Sequence, residues 1–168
     1  MALLDALVAE GRFANRSDAL RAGLGRLAAD ERERQIDAAY ARGYGEHPQE
    51  EWVGEAGLAG LTAFDAANRG AVYDAELPGG RRPVVIVTRE RAIPLLANVT
   101  VAAVTGTVRD LPTEVPLGRE HGLARDCVVN CDNLFTIPKR ALGSRRGELD
   151  AESLERLRDA LRIALDVD

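Results

Sequence analysis

Two β-branched runs, Val84–Val87 and Val99–Val104, constrain this chain more than any other feature. Each is short and apolar, and Gly and Pro lie around them: Gly79-Gly80-Arg81-Arg82-Pro83 before the first, Thr105-Gly106 after the second. Runs of this kind read as buried strands of a compact sheet. Arg82 opens the first run and Thr105 closes the second. Strand ends are where a rigid scaffold can hold a small polar constellation, although both residues also serve simply to begin and end strands.

Around this pair the pattern stays β. Arg69–Leu77 alternates well enough for a strand with Val72 facing inward, and Pro78-Gly79-Gly80 makes a tight turn into Arg81-Arg82-Pro83. Thr113–Leu117 and Cys127–Cys131 are two further short strands, whereas Phe135–Arg140 is too short to assign. Asp150 caps a final helix whose Leu154, Leu157, Leu161 and Leu165 mark one face. About five short strands and one helix imply a small curled sheet or barrel.

The N-terminal part is helical instead. Leu3, Leu4, Leu7 and Val8 recur at helical spacing, and Gly11 stops that helix. Ser17 is the expected N-cap of a second helix with the stripe Leu20, Leu24 and Leu27. It runs on through the mixed charges of residues 30–40, and Gly43, Gly45 and Pro48 close it. Two such helices bury little surface alone, so this part dimerises or leans on the rest. We therefore divide the 168 residues into a helical segment 1–43, an acidic linker 44–67 and a β domain 68–168.

Charge follows the same division. Residues 1–67 carry 7 basic against 12 acidic residues, a net of −5, and residues 68–168 carry 15 of each. Glu46, Glu50, Glu51, Glu55 and Asp65 lie in residues 44–67 with no basic residue. Such a segment is either a solvated linker or a polyanion mimic that competes with nucleic acid for a basic groove. Trp52, Leu58, Leu61 and Phe64 are its apolar anchors. No run approaches the roughly 18 apolar residues of a membrane helix and no signal peptide opens the chain, so a cytoplasmic protein is expected. Cys127 and Cys131 read as reduced thiols. His47 and His121, far apart in sequence, make a dedicated metal site unexpected. His121 reads as a loop residue.

Two resemblances sharpen this. Residues 10–21, Glu-Gly-Arg-Phe-Ala-Asn-Arg-Ser-Asp-Ala-Leu-Arg, resemble the helix–turn–helix half of ribbon-helix-helix antitoxins. Only Met1 and Ala2 precede the first helix, so the DNA-reading strand of that family is missing and no DNA binding is expected. The stretches Arg69–Tyr73, Arg82–Val87, Val104–Arg109, Leu111–Val115 and Val129–Leu134 resemble, in order and spacing, the MazF/PemK family of toxin endoribonucleases.

The second resemblance implies an α+β fold, an SH3-like small β-barrel of the MazF/PemK/CcdB type with a C-terminal helix. It also implies a homodimer, and metal-independent, cofactor-free cleavage of single-stranded RNA at short sequences. Together the two imply a MazE-like antitoxin fragment fused to its toxin. Residues 44–67 then act as an antitoxin tail that docks through Trp52, Leu58, Leu61 and Phe64 on its own groove or on the partner protomer's. Two departures stand out: Ala71 replaces a usual acidic residue, and the loop before Arg82 shrinks to Pro78-Gly79-Gly80-Arg81.

By the same resemblance Arg82 and Thr105 correspond to the catalytic pair. RNA carries its own nucleophile, the 2′-hydroxyl. Its attack builds charge on the phosphate oxygens, which a guanidinium fork and a hydroxyl donor can stabilise. A guanidinium is a poor general base, and no residue is identified for that role. Arg81, Arg89, Thr107 and Arg109 are candidate RNA contacts. The competing reading is a catalytically degenerate toxin fold that binds or regulates, favoured by Ala71 and the short loop.

Overall fold

The computed structural model describes residues 2–47 and 67–167. The chain divides into two compact units, Met1–Gly45 and Glu46–Asp168. The first is two helices, α1 (Ala2–Ala9) and α2 (Arg16–Glu46). Asn15, rather than Ser17, caps α2: its side-chain oxygen accepts the Asp18 backbone N–H at 2.9 Å. Ser17 already lies inside the helix. Gly43 and Gly45 do not end it either, because α2 runs on to Glu46. Mixed charges three and four apart support such a solvated helix, among them the Arg21–Asp18 and Arg34–Glu31 pairs. Only Ala19 is buried among the described residues of this unit. Leu20, Leu24 and Leu27 are 52, 67 and 63% exposed.

The second unit is a six-stranded antiparallel sheet, curled into a half-barrel, with one long helix. Its strands are β1 (Ala71–Leu77), β2 (Gly80–Ile86), β3 (Asn98–Thr105), β4 (Glu114–Leu117), β5 (Cys127–Pro138) and β6 (Leu142–Glu148). The order across the sheet is β4-β5-β3-β2-β1-β6. Helix α3 (Ala151–Leu165) follows, and Asp150 caps it by accepting the Ser153 N–H at 2.8 Å. Alternate residues of the strands feed two apolar clusters. Val72, Val85, Ala102, Val104 and Val129 pack with Leu157 and Ala160 of α3. Tyr73, Val84, Ile86, Val101 and Ala103 form the other, with Ile93 from the 3-10 turn Glu90–Leu95. Both faces of the central strands are thus buried, which is why their sequence is a continuous apolar run rather than an alternation.

Three expectations change here. The segment Cys127–Cys131 is the first part of a twelve-residue strand that takes in Phe135. It bends where Ala102 pairs Leu134 and Ala103 pairs Asn130, so Cys131–Asn133 form a bulge in the ladder. The bulge is pinned by Cys131 N–H donating to the Thr113 carbonyl and by the Thr113 hydroxyl on Asp132, at 2.9 and 2.7 Å. Strand β6, Leu-Gly-Ser-Arg-Arg-Gly-Glu, has no counterpart in the sequence reading; it forms because β1 offers it an edge to pair with. On α3, Leu157 is fully buried and Leu154 and Leu161 pack on the core, but Leu165 is 55% exposed.

Candidate active site

Strands β2 and β3 are antiparallel neighbours, with Val84 opposite Ala103. Continuing that register sets Arg82 opposite Thr105. Both therefore stand at the same end of this strand pair. They line one groove of about 380 Å³. Val104, Gly106, Leu123 and Cys127 form part of its apolar wall, and four arginines, Arg81, Arg82, Arg125 and Arg146, enter it.

Local sequence explains how Arg82 is held. Gly79 and Gly80 have φ of +97° and +103°, a left-handed pair that most other residues would strain to adopt. That turn presents the Gly79 carbonyl to the Arg82 guanidinium, which donates to it at 3.0 Å. A Cβ at position 79 would stand 3.1 Å from the same guanidinium nitrogen. The Arg82 Nε is buried and has no hydrogen-bond partner among the described residues. A buried donor left unmade is costly, and such groups often mark a site that a ligand completes. Thr105 Oγ1 accepts the Thr107 backbone N–H at 3.1 Å. Because that bond uses a lone pair, the Thr105 hydroxyl keeps its proton to donate.

The other arginines differ in how they are committed. Asp74 on β1, 7% exposed, pairs with Arg146 Nε at 2.8 Å and lies 3.6 Å from Arg81. It therefore orients two groove arginines from behind the wall. None of the lining residues among those described is a carboxylate, so this lining is cationic and suits a polyanion. A second hollow of about 420 Å³ meets it at Cys127, and its lining includes Glu120, Asp126, Asp150 and Glu152 with Arg156. The first groove is thus the more cationic of the two.

Of the expected RNA contacts, Arg81 lines the groove. Arg89, Thr107 and Arg109 are not among its lining residues. Arg89 follows β2 at the strand's far end. Thr107 meets Thr105 through its backbone N–H. Arg109 donates its own backbone N–H to Glu114 at 2.8 Å, with the guanidinium 3.8 Å from the same carboxyl. Trp52, Leu58, Leu61 and Phe64 lie outside the described residues.

Residues that the sequence did not single out complete the groove: Arg125 on the loop before β5, Arg146 on β6, and Asp74 behind them. The bare charges were visible in the sequence, but their convergence depends on β6 and the loop folding back onto β2. Neither histidine enters the groove. His121 is 4% exposed, a buried residue rather than an open loop one. Its Nδ1 lies 3.1 Å from both the Gly118 N–H and the Glu120 carboxylate, and its Nε2 is hydrogen-bonded to Ser153 Oγ at 3.2 Å. It fastens the turn Arg119–His121 to the start of α3. Cys131 is 1% exposed, and burial with nearby Asp132 raises its thiol to about 11, so it is a packed group rather than a nucleophile.

A half-barrel with a C-terminal helix defines a class of fold, and the comparisons agree with it. Residues 68–165 match the family model described as PemK-like, MazF-like toxin of type II toxin-antitoxin system, and the chain belongs to that family. Among relatives, "Endoribonuclease MazF3" of Mycobacterium tuberculosis is 49% identical over 87 residues, covering 52% of this chain and 84% of that protein. Among solved structures, "Mycobacterium tuberculosis toxin MazF-mt6" is 46% identical with a TM-score of 0.56, over 58% of this chain and 98% of that one. "Endoribonuclease in complex with its cognate antitoxin from Mycobacterial species" is 33% identical, TM-score 0.56, over 61% and 98%. No helix among the described residues is long and apolar enough to cross a membrane.

Proposed function

We propose that the β unit is a toxin endoribonuclease of SH3-like barrel type that cleaves single-stranded RNA without a metal. The observation that carries this reading is the convergence of Arg82 and Thr105, on adjacent strands, into one four-arginine groove. The RNA 2′-oxygen attacks the neighbouring phosphorus and gives its proton to solvent water. The bond from phosphorus to the 5′-oxygen breaks and that oxygen takes a proton from water, leaving a 2′,3′-cyclic phosphate and a 5′-hydroxyl. Arg82 offers fixed donors to the charge that develops on the phosphate oxygens, and Thr105 adds its hydroxyl proton. Preorganised donors of this kind each lower the barrier by about 3–4 kcal/mol. Among the described residues the groove lining holds neither a carboxylate nor a histidine, and in this reading Arg82 and Thr105 act by charge stabilisation. Arg82→Ala abolishes cleavage while thermal unfolding stays near wild type. Retained turnover on an RNA substrate, with or without a chelator, rejects the assignment.

Residues 1–67 act in this reading as an antitoxin-like segment whose acidic tail competes with RNA for the groove, in cis or on the partner of a homodimer. The tail's acids and the groove's arginines support it. A comparison of cleavage by the intact chain and by residues 67–168 tests it, since the second unit carries its own core. Equal rates remove the inhibition. A degenerate binding module is the alternative. Ala71, the residue that favours it, is fully buried in the apolar cluster and is not among the groove-lining residues. Binding of RNA without a cyclic-phosphate product selects that alternative.

A further inference from the structure

The groove arginines are not equivalent. Arg81 and Arg146 share the Asp74 carboxylate, and Arg82 is tied to the Gly79 carbonyl. The Arg125 guanidinium has no hydrogen bond or ion pair to any of the described residues, and the residue is exposed. Its position is nevertheless defined. Leu123, 5% exposed, anchors its loop, and Cys127 Sγ donates to the Arg125 carbonyl at 3.2 Å. The guanidinium lies against Gly106: a Cβ there would stand 3.2 Å from one terminal nitrogen and 3.5 Å from the central carbon. Gly106 directly follows Thr105. A full positive charge with an uncommitted donor fork is thus held beside the hydroxyl, on a loop that belongs to neither β2 nor β3.

We propose that Arg125 is a binding residue of the groove, one that grips an RNA phosphate next to the scissile one and so sets the strand's position over Arg82 and Thr105. The inference rests on the nuclease reading and adds a residue to it. Gly106 is its seat: the missing side chain lets the guanidinium lie flat over the backbone. A paired arginine meets a phosphate already partly neutralised, and Arg125 meets it with all five donors available. Its contribution is to binding, and Arg82 carries the chemistry.

The test uses the intact chain and a 2′-O-methylated single-stranded RNA of mixed sequence, whose capped oxygen prevents cleavage. Affinity is measured by fluorescence anisotropy across about 50–200 mM salt. Arg125→Ala weakens binding roughly tenfold, as expected for a charge-assisted contact, and makes the log–log salt slope shallower by about 0.7, the value for one single-strand phosphate. Arg125→Lys keeps the slope and loses affinity, because the charge remains and the fork is gone. Gly106→Ala, which keeps every charge, weakens binding by less with the slope unchanged. Arg125→Ala leaves the melting temperature unchanged, which separates a binding role from a structural one. Wild-type affinity and slope in Arg125→Ala overturn the inference and leave the nuclease reading standing. A wild type that binds no RNA, both as the intact chain and as residues 67–168 freed of the competing tail, overturns both.

Discussion

The two units of this chain spend their leucines and valines in opposite ways. In Met1–Gly45 the stripe Leu20, Leu24 and Leu27 faces solvent, and α2 is held chiefly by its own backbone and by surface ion pairs. In the sheet unit Val72, Val84, Val85, Ile86 and Val101 are fully buried. A helix satisfies its hydrogen bonds within one segment and can persist with an unpartnered apolar stripe. A strand cannot, so each run of β-branched residues must find neighbours on both edges. Helical periodicity therefore reveals an element without revealing what covers it, whereas a buried strand run implies its covering.

Three experiments bear on that contrast. The largest effect is expected in the core. Leu157→Ala destabilises the sheet unit by about 2–5 kcal/mol in denaturant unfolding, and Leu24→Ala on α2 changes stability by under about 0.5 kcal/mol. Equal losses would mean that the α2 stripe is covered in solution. The next concerns backbone packing. Gly122 has φ of +80°, and a Cβ there would lie 2.0 Å from the Arg146 carbonyl oxygen. Gly122→Ala therefore destabilises by about 2–3 kcal/mol. Because it displaces the strand that carries Arg146, it also lowers RNA affinity. Gly25→Ala, with nothing within 4 Å of its Cβ, stabilises α2 slightly instead.

The smallest effect is one of pH. The Ser153 N–H, then the Ser153 hydroxyl, hold the Asp150 carboxyl below its ordinary value of 3.8. A carboxyl depressed in the folded state adds stability above its unfolded value. That stability is lost as the pH falls through the folded value. Thermal melts of the wild type therefore decline on the acid side below about pH 4, and Asp150→Asn flattens that limb. An unchanged acid limb in the variant would detach the cap from the stability of the sheet unit.

The sequence made part of the site legible and concealed the rest for identifiable reasons. Arg82 and Thr105 stood out because each abuts a β-branched run. Strands β2 and β3 were recoverable because burial on both faces leaves a continuous apolar signal. Strand β6 gave no such signal: Gly143, Ser144, Arg145, Arg146 and Gly147 are exposed or half-buried, and only pairing with β1 makes them a strand. Arg146 was hidden with it. His121 looked like a loop residue because its partner, Ser153, is 32 residues away. Ser17 and Asn15 are equally good caps by type, and only the helix's first turn chose between them.

By itself the sequence determined the kinds of element, the apolar faces of the central strands and the two polar residues at their ends, because these follow from local periodicity and turn chemistry. The tertiary structure decided which charges share a groove and which are neutralised. Arg125 lies free beside Gly106, Arg146 is held by Asp74 across 72 positions, and Arg109 is turned to Glu114. Side-chain charge is written in the sequence, but its partner is set by which chain segments the sheet brings within hydrogen-bond distance.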